Sequence, residues 1–167
     1  MGPRRDHPEI PRQRVAGDRV IKGYHAGYIL DASVAVKWFA ELGEEERDRA
    51  LALRVRHTAG LLRLSVPVSF PLEVANALRF NQRFEEGDVV VAVQALEDLR
   101  LDIRPTDFDL LRKTVAIAYA YRLTLYDAVY VALAEASGLP LVTADEALLK
   151  GMKGHSIVLR LRDLEFP

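Results

Sequence analysis

The hydrophobic pattern divides the chain into short apolar runs and longer helical periods. Tyr28-Ile29-Leu30 is a continuous apolar run that stops at Asp31. Similar short runs at 64–68, 101–104, 140–143 and 156–161 predict four further strands, with Pro67 marking a sheet edge or a strand terminus. Between them the apolar positions recur at helical spacing. The pattern predicts a short helix at 34–39, a long one at 44–62, and others at 71–83, 88–100, 108–121, 127–137 and 146–150. Pro71 fits a first helical turn, Gly87 marks a break before residue 88, and Gly138 ends the helix before it. Strands alternating with helices predict an α/β fold, a three-layer α/β/α sandwich around a mostly parallel sheet. Ligands of such sheets bind at the carboxyl ends of the strands, where the strand order reverses.

Residues 1–26 lack this regularity. They carry Pro3, Pro8 and Pro11 and a net charge of +3, and are expected to form a basic, flexible extension. Residues 27–167 are expected to form the folded domain.

The 167 residues contain no cysteine. This excludes a thiol nucleophile, an iron–sulfur cluster and a cysteine zinc site. His7, His25, His57 and His155 show no metal-binding spacing. His57 and His155 are therefore assigned to the surface, and Trp38 to the core. No apolar run approaches the roughly 18 residues of a membrane span, and the first residues lack an apolar signal core. The expectation is a cytoplasmic protein without a membrane partner. The net charge of −1 gives no sign of a nucleic-acid partner.

Four acids occupy informative places. Asp31 follows the first strand, and Asp145 follows the strand ending at Thr143. Glu73 lies in the first turn of the helix after the second strand. Asp127 opens an apolar helical run. Glu73, Asn76, Ala77 and Phe80 share one helix face, while Val74 and Leu78 point to the core. Helix capping offers another reading, since Thr124 to Asp127 and Thr143 to Glu146 both fit a capping box. Asp31 resists that reading, because a carboxylate between two apolar segments would be buried at high cost. A parallel sheet brings Asp31, Asp127 and Asp145 to one edge, within reach of Glu73. Clustered carboxylates repel unless a cation joins them, and oxygen-only donors favour Mg²⁺ or Mn²⁺. With a phosphodiester present, such a site suits metal-assisted hydrolysis.

Four segments taken in order resemble the PIN-domain ribonucleases, and within them the VapC-type toxins of toxin–antitoxin pairs. They are residues 28–39 (YILDASVAVKWF), 71–78 (PLEVANAL), 125–134 (LYDAVYVALA) and 139–145 (LPLVTAD). The resemblance runs from about Tyr28 to the C-terminus. It implies that Asp31, Glu73, Asp127 and Asp145 bind Mg²⁺ or Mn²⁺ and carry catalysis, with Ser33, Asn76 and Thr143 in support. It also implies cleavage of single-stranded RNA by water, a homodimer, and a small antitoxin as partner. Two alternatives stay open: a non-catalytic module of the same fold, used for binding or assembly, and a stand-alone RNA-processing nuclease. Arg79, Arg83, Arg112, Lys113 and Arg122 are candidate RNA-backbone contacts or solvated cations. Tyr119, Tyr121, Tyr126 and Tyr130 are candidate core or dimer contacts.

Overall fold

A computed structural model of the chain describes residues 27–39 and 46–166. The expected basic extension at 1–26 lies outside the described residues.

Five strands form one sheet: β1 (Gly27–Leu30), β2 (Arg63–Pro67), β3 (Asp102–Arg104), β4 (Leu141–Thr143) and β5 (Val158–Arg160). Their order is β3-β2-β1-β4-β5, and every pairing is parallel. The chain moves outward from β1 through β2 to β3, then returns to the other side of β1 with β4. The strand order therefore reverses between β1 and β4, and a crevice opens there at the strand carboxyl ends. β1 is central and buried throughout, which is why it reads as a continuous apolar run. Pro67 ends β2, so it marks a strand terminus and not a sheet edge.

The helices are α1 (Ala32–Val36), α2 (Arg47–Thr58), α3 (Phe70–Phe80), α4 (Glu86–Asp98), α5 (Phe108–Tyr121), α6 (Leu125–Ser137) and α7 (Glu146–Gly151), with 3₁₀ turns at Lys37–Phe39 and Leu161–Asp163. α6 packs against β1, β2 and β4 and pairs with α5. Burial against both partners leaves its residues from Ala128 to Ala134 without an exposed side. α1 packs on α3, which pairs with α4. Trp38 is in the core, and its indole N–H donates to the Ala50 carbonyl at 2.8 Å.

Several element ends differ from the sequence expectation, each for a local reason. Gly87 does not break the chain before α4 but lies inside its first turn. The helix starts earlier because the Asp88 carboxylate accepts from the Glu85 backbone N–H at 2.9 Å, a capping contact beyond the glycine. α3 stops at Phe80, short of residue 83, because the Asn81 side chain accepts from the Arg83 N–H at 3.1 Å and turns the chain. α2 ends at Thr58 rather than 62, and Gly60 follows at φ 71°. α1 begins at Ala32, two residues early, and tightens into a 3₁₀ turn at Lys37.

His57 corrects the surface assignment. Its Nε2 donates to the Leu99 carbonyl at 3.0 Å, and its Nδ1 accepts from the Leu64 N–H at 3.3 Å. The backbone donor at Nδ1 fixes the tautomer with the proton on Nε2. The ring thus ties α2 to β2 and to the end of α4. His155 is also half-buried, with Nε2 3.3 Å from Glu135. Replacing the ring in His57→Leu leaves a backbone donor and a backbone acceptor unpaired. The expected loss is about 1–3 kcal/mol of unfolding free energy, measured by denaturant titration.

Candidate active site at the β1/β4 crevice

Asp31 sits at the point where the strand order reverses. Its backbone N–H donates to the Val142 carbonyl at 3.0 Å, so the end of β1 is tied to β4. It occupies the N-cap position of α1 but makes no capping hydrogen bond with its side chain. Its Oδ2 instead accepts from two hydroxyls, Thr143 at 2.7 Å and Ser33.

Both hydroxyls are oriented from behind. Thr143 Oγ1 accepts from the Asp145 N–H at 2.9 Å, and Ser33 Oγ accepts from the Ala144 N–H at 3.0 Å. With that lone pair engaged, each O–H is directed at Asp31. Thr143 is not a helix cap, as the alternative reading allowed, but the last residue of β4. Asp145 caps α7 itself, accepting from the Leu148 N–H at 2.9 Å through Oδ1.

Asp127 lies in the first turn of α6. Thr124 Oγ1 accepts from the Asp127 N–H at 3.1 Å and donates to Asp127 Oδ2 at 2.7 Å. The hydroxyl satisfies the helix end and steers the acid at once. Glu73 follows β2 in the first turn of α3. Its Oε1 is buried and has no hydrogen-bond partner.

Electrostatics link the four acids. Burial pushes the Asp31 carboxyl above the ordinary aspartate value against the pull of Ser33 and Thr143, and the negative charges of Asp145 and Asp127 push it further. Burial likewise raises Glu73. The hydroxyls of Ser69 and Tyr130 oppose that shift, while Asp31 and Asp127 add to it. The fold thus places Asp31 in the field of Asp127 and Asp145, and Glu73 in the field of Asp31 and Asp127. Among the described residues no three Asp, Glu, His or Cys side chains have closed to metal-ligand distances.

The donor set fits a hard divalent cation. It consists of oxygens alone, and Asp31 Oδ1, Glu73 Oε2, Asp127 Oδ1 and Asp145 Oδ2 all remain outside the hydrogen bonds described above.

Asn76 does not join this group. It is exposed on α3 and lines a cleft of about 640 Å³ with Leu72, Arg79, Phe84, Val89 and Val93, a cleft that contains none of the four acids. Arg112 is engaged by Asp109, and the Arg79 guanidinium lies over the Phe80 ring at 5.2 Å. Sequence reading missed Ser69 and treated Tyr130 only as a packing residue. Tyr130 lies one helical turn beyond Asp127, which was the available signal.

The raised acids set a pH dependence. The folded chain holds protons on Asp31 and Glu73 more tightly than the unfolded chain does. Without metal, stability is therefore greatest below the ordinary carboxylate values. It falls as pH rises from there through the raised folded values. Asp31→Asn flattens that slope. It is expected to raise the metal-free melting temperature at pH 7, by about 2–4 °C for each kcal/mol recovered, read by calorimetric scans from pH 4 to 8.

Comparison with known proteins agrees with this fold. The PIN-domain family model matches residues 28–152. Ribonuclease VapC3 of Mycobacterium tuberculosis is 36% identical over 132 residues, covering 77% of this chain and 90% of that protein. Among solved structures, a toxin–antitoxin complex from Klebsiella pneumoniae matches with a TM-score of 0.60 at 21% identity, covering 80% of this chain and 97% of that one. The Pyrobaculum aerophilum protein PAE2754 matches with a TM-score of 0.56 at 26% identity, over 81% and 90% of the two chains. The structure of FitAB bound to a DNA fragment matches with a TM-score of 0.61 at 14% identity, over 83% and 98%. The fold, the ordered motifs and these matches agree that the chain belongs to the PIN-domain family, as a VapC-like member.

Proposed function

We propose that the chain is a Mg²⁺- or Mn²⁺-dependent endoribonuclease that cleaves single-stranded RNA, and the toxin of a type II toxin–antitoxin pair. The observation that carries this reading is Asp31, a buried carboxylate refused its capping role and held by two backbone-anchored hydroxyls where the strand order reverses. A purely structural acid at that position would cap α1. The 36% identity to a protein named as a ribonuclease supports RNA as the substrate.

Asp31, Glu73, Asp127 and Asp145 would hold the cation. When bound, it supplies an activated water and neutralises charge on the phosphodiester. Ser33 and Thr143 hold Asp31 in one orientation, and Thr124 does the same for Asp127.

Two exposed apolar faces support the partners. Phe108, Leu111, Val115 and Tyr119 form a stripe along α5 that suits a second copy of the chain. Leu72, Val90 and Val93 expose apolar surface along the α3–α4 cleft, which suits an antitoxin segment. Two of the matched structures are a toxin–antitoxin complex and FitAB on DNA. No described helix is long and apolar enough to cross a membrane, in keeping with a cytoplasmic site of action.

The test is cleavage of a single-stranded RNA panel with Mg²⁺, Mn²⁺ or chelator. Asp31→Asn and Asp127→Asn are expected to abolish cleavage with the fold retained by circular dichroism. Ser33→Ala and Thr143→Val, which act through Asp31, are expected to lower it about 10–100-fold. Metal-independent cleavage, or full activity of Asp31→Asn, refutes the reading. Absence of both Mn²⁺ binding and cleavage in the unaltered chain favours the non-catalytic module.

A further inference from the structure

Among the described residues, three buried side-chain atoms without a hydrogen-bond partner belong to Ser69, Glu73 and Tyr130. They fall in one place. Ser69 lies one turn before Glu73 on α3, and the Glu73 N–H donates to the Ser69 carbonyl at 3.0 Å. Tyr130 lies on α6 one turn after Asp127, and its side chain is fully buried. The hydroxyls of Ser69 and Tyr130 both bear on the Glu73 carboxylate.

Each hydroxyl is withheld from an ordinary role. Ser69 is the N-cap residue of α3, where a serine hydroxyl normally accepts a helix N–H, yet it makes no capping bond. Tyr130 is buried, and a buried phenol normally finds a partner. The groups that bear on it are the Ala32 backbone N–H and the carboxylates of Glu73 and Asp31, none of them at good hydrogen-bonding geometry. Ala32 is the first residue of α1, and its N–H has no intrahelical partner. With the Ala32 N–H directed at the phenol oxygen, the phenol proton is left for Glu73.

We infer that Tyr130 and Ser69 are positioning residues. They hold the buried Oε1 of Glu73 and turn its Oε2 toward the cation shared with Asp31. Two unpartnered hydroxyls that bear on one unpartnered carboxylate oxygen leave room for one closed set of hydrogen bonds. A modest rotation about the Glu73 side chain, or one bridging water, satisfies all three. Because Ala32 follows Asp31 directly, the phenol also registers α6 against the residue next to the first acid. This inference rests on the metal-centre reading above.

Tyr130→Phe removes one oxygen and keeps the ring. The expected result by calorimetry on the full chain is Mn²⁺ affinity weakened about 10–100-fold, with the metal-free melting temperature unchanged or raised. On RNA, kcat falls while KM holds. Ser69→Ala is expected to shift the same quantities in the same direction. In a Glu73→Gln background, Tyr130→Phe is expected to have no further effect on Mn²⁺ affinity, because the two act as one unit. A metal-free melting temperature that drops while Mn²⁺ affinity and kcat stay unchanged in both single variants overturns the positioning role and leaves the metal centre standing. Failure of the unaltered chain to bind Mn²⁺ overturns both.

Discussion

The site depends on one oxygen, Asp31 Oδ2. Two hydroxyls donate to it, and each takes its own orientation from a backbone N–H in the segment that leaves β4. Burying a carboxylate at the centre of a sheet is costly, and these bonds offset part of that cost. They also join the two strands that flank the reversal of strand order. The remaining acids are arranged around this junction: Asp145 two residues past Thr143, Glu73 beyond the neighbouring β2, and Asp127 on the helix that covers the sheet.

A consistent logic governs the helix ends. Asp145 caps α7 with one carboxylate oxygen and keeps the other for the acidic group, while Asp127 is held through one oxygen by the hydroxyl of the capping Thr124. Asp31 and Ser69 occupy N-cap positions without capping. Among the Asp, Ser and Thr residues at described N-cap positions, Asp107, Thr124 and Asp145 cap in the ordinary way, and the two exceptions lie beside the acidic group. Local stability there has been traded for side chains that face inward.

Much of this was legible in the sequence. Alternating runs gave the parallel sheet, while strand ends marked Asp31 and Asp145 and helix starts marked Glu73 and Asp127. The 108–121 helix matches its period end to end. Boundaries failed where a side chain intervened: Asn81 stopping α3, Asp88 extending α4 past Gly87, and Thr124 starting α6 ahead of Asp127. Thr143 has no local signature of its role, because its partner is 112 positions away. His57 was misjudged for the same reason, since its bonds to Leu64 and Leu99 are tertiary. Asn76 was placed correctly on its helix face, but that face opens on a different cleft.

The order of the strands carries a consequence for synthesis. β1 is made near the start of the folded region and waits, with its acid, for β4, which arrives near the end. Until residue 145 has left the ribosome, Asp31 has neither the Thr143 hydroxyl nor the Ala144 amide that aligns Ser33. A nascent chain therefore lacks the completed centre for most of its length, and a truncated product never acquires it. The long-range pairing that slows folding also delays the alignment of Asp31 until nearly the whole domain is made.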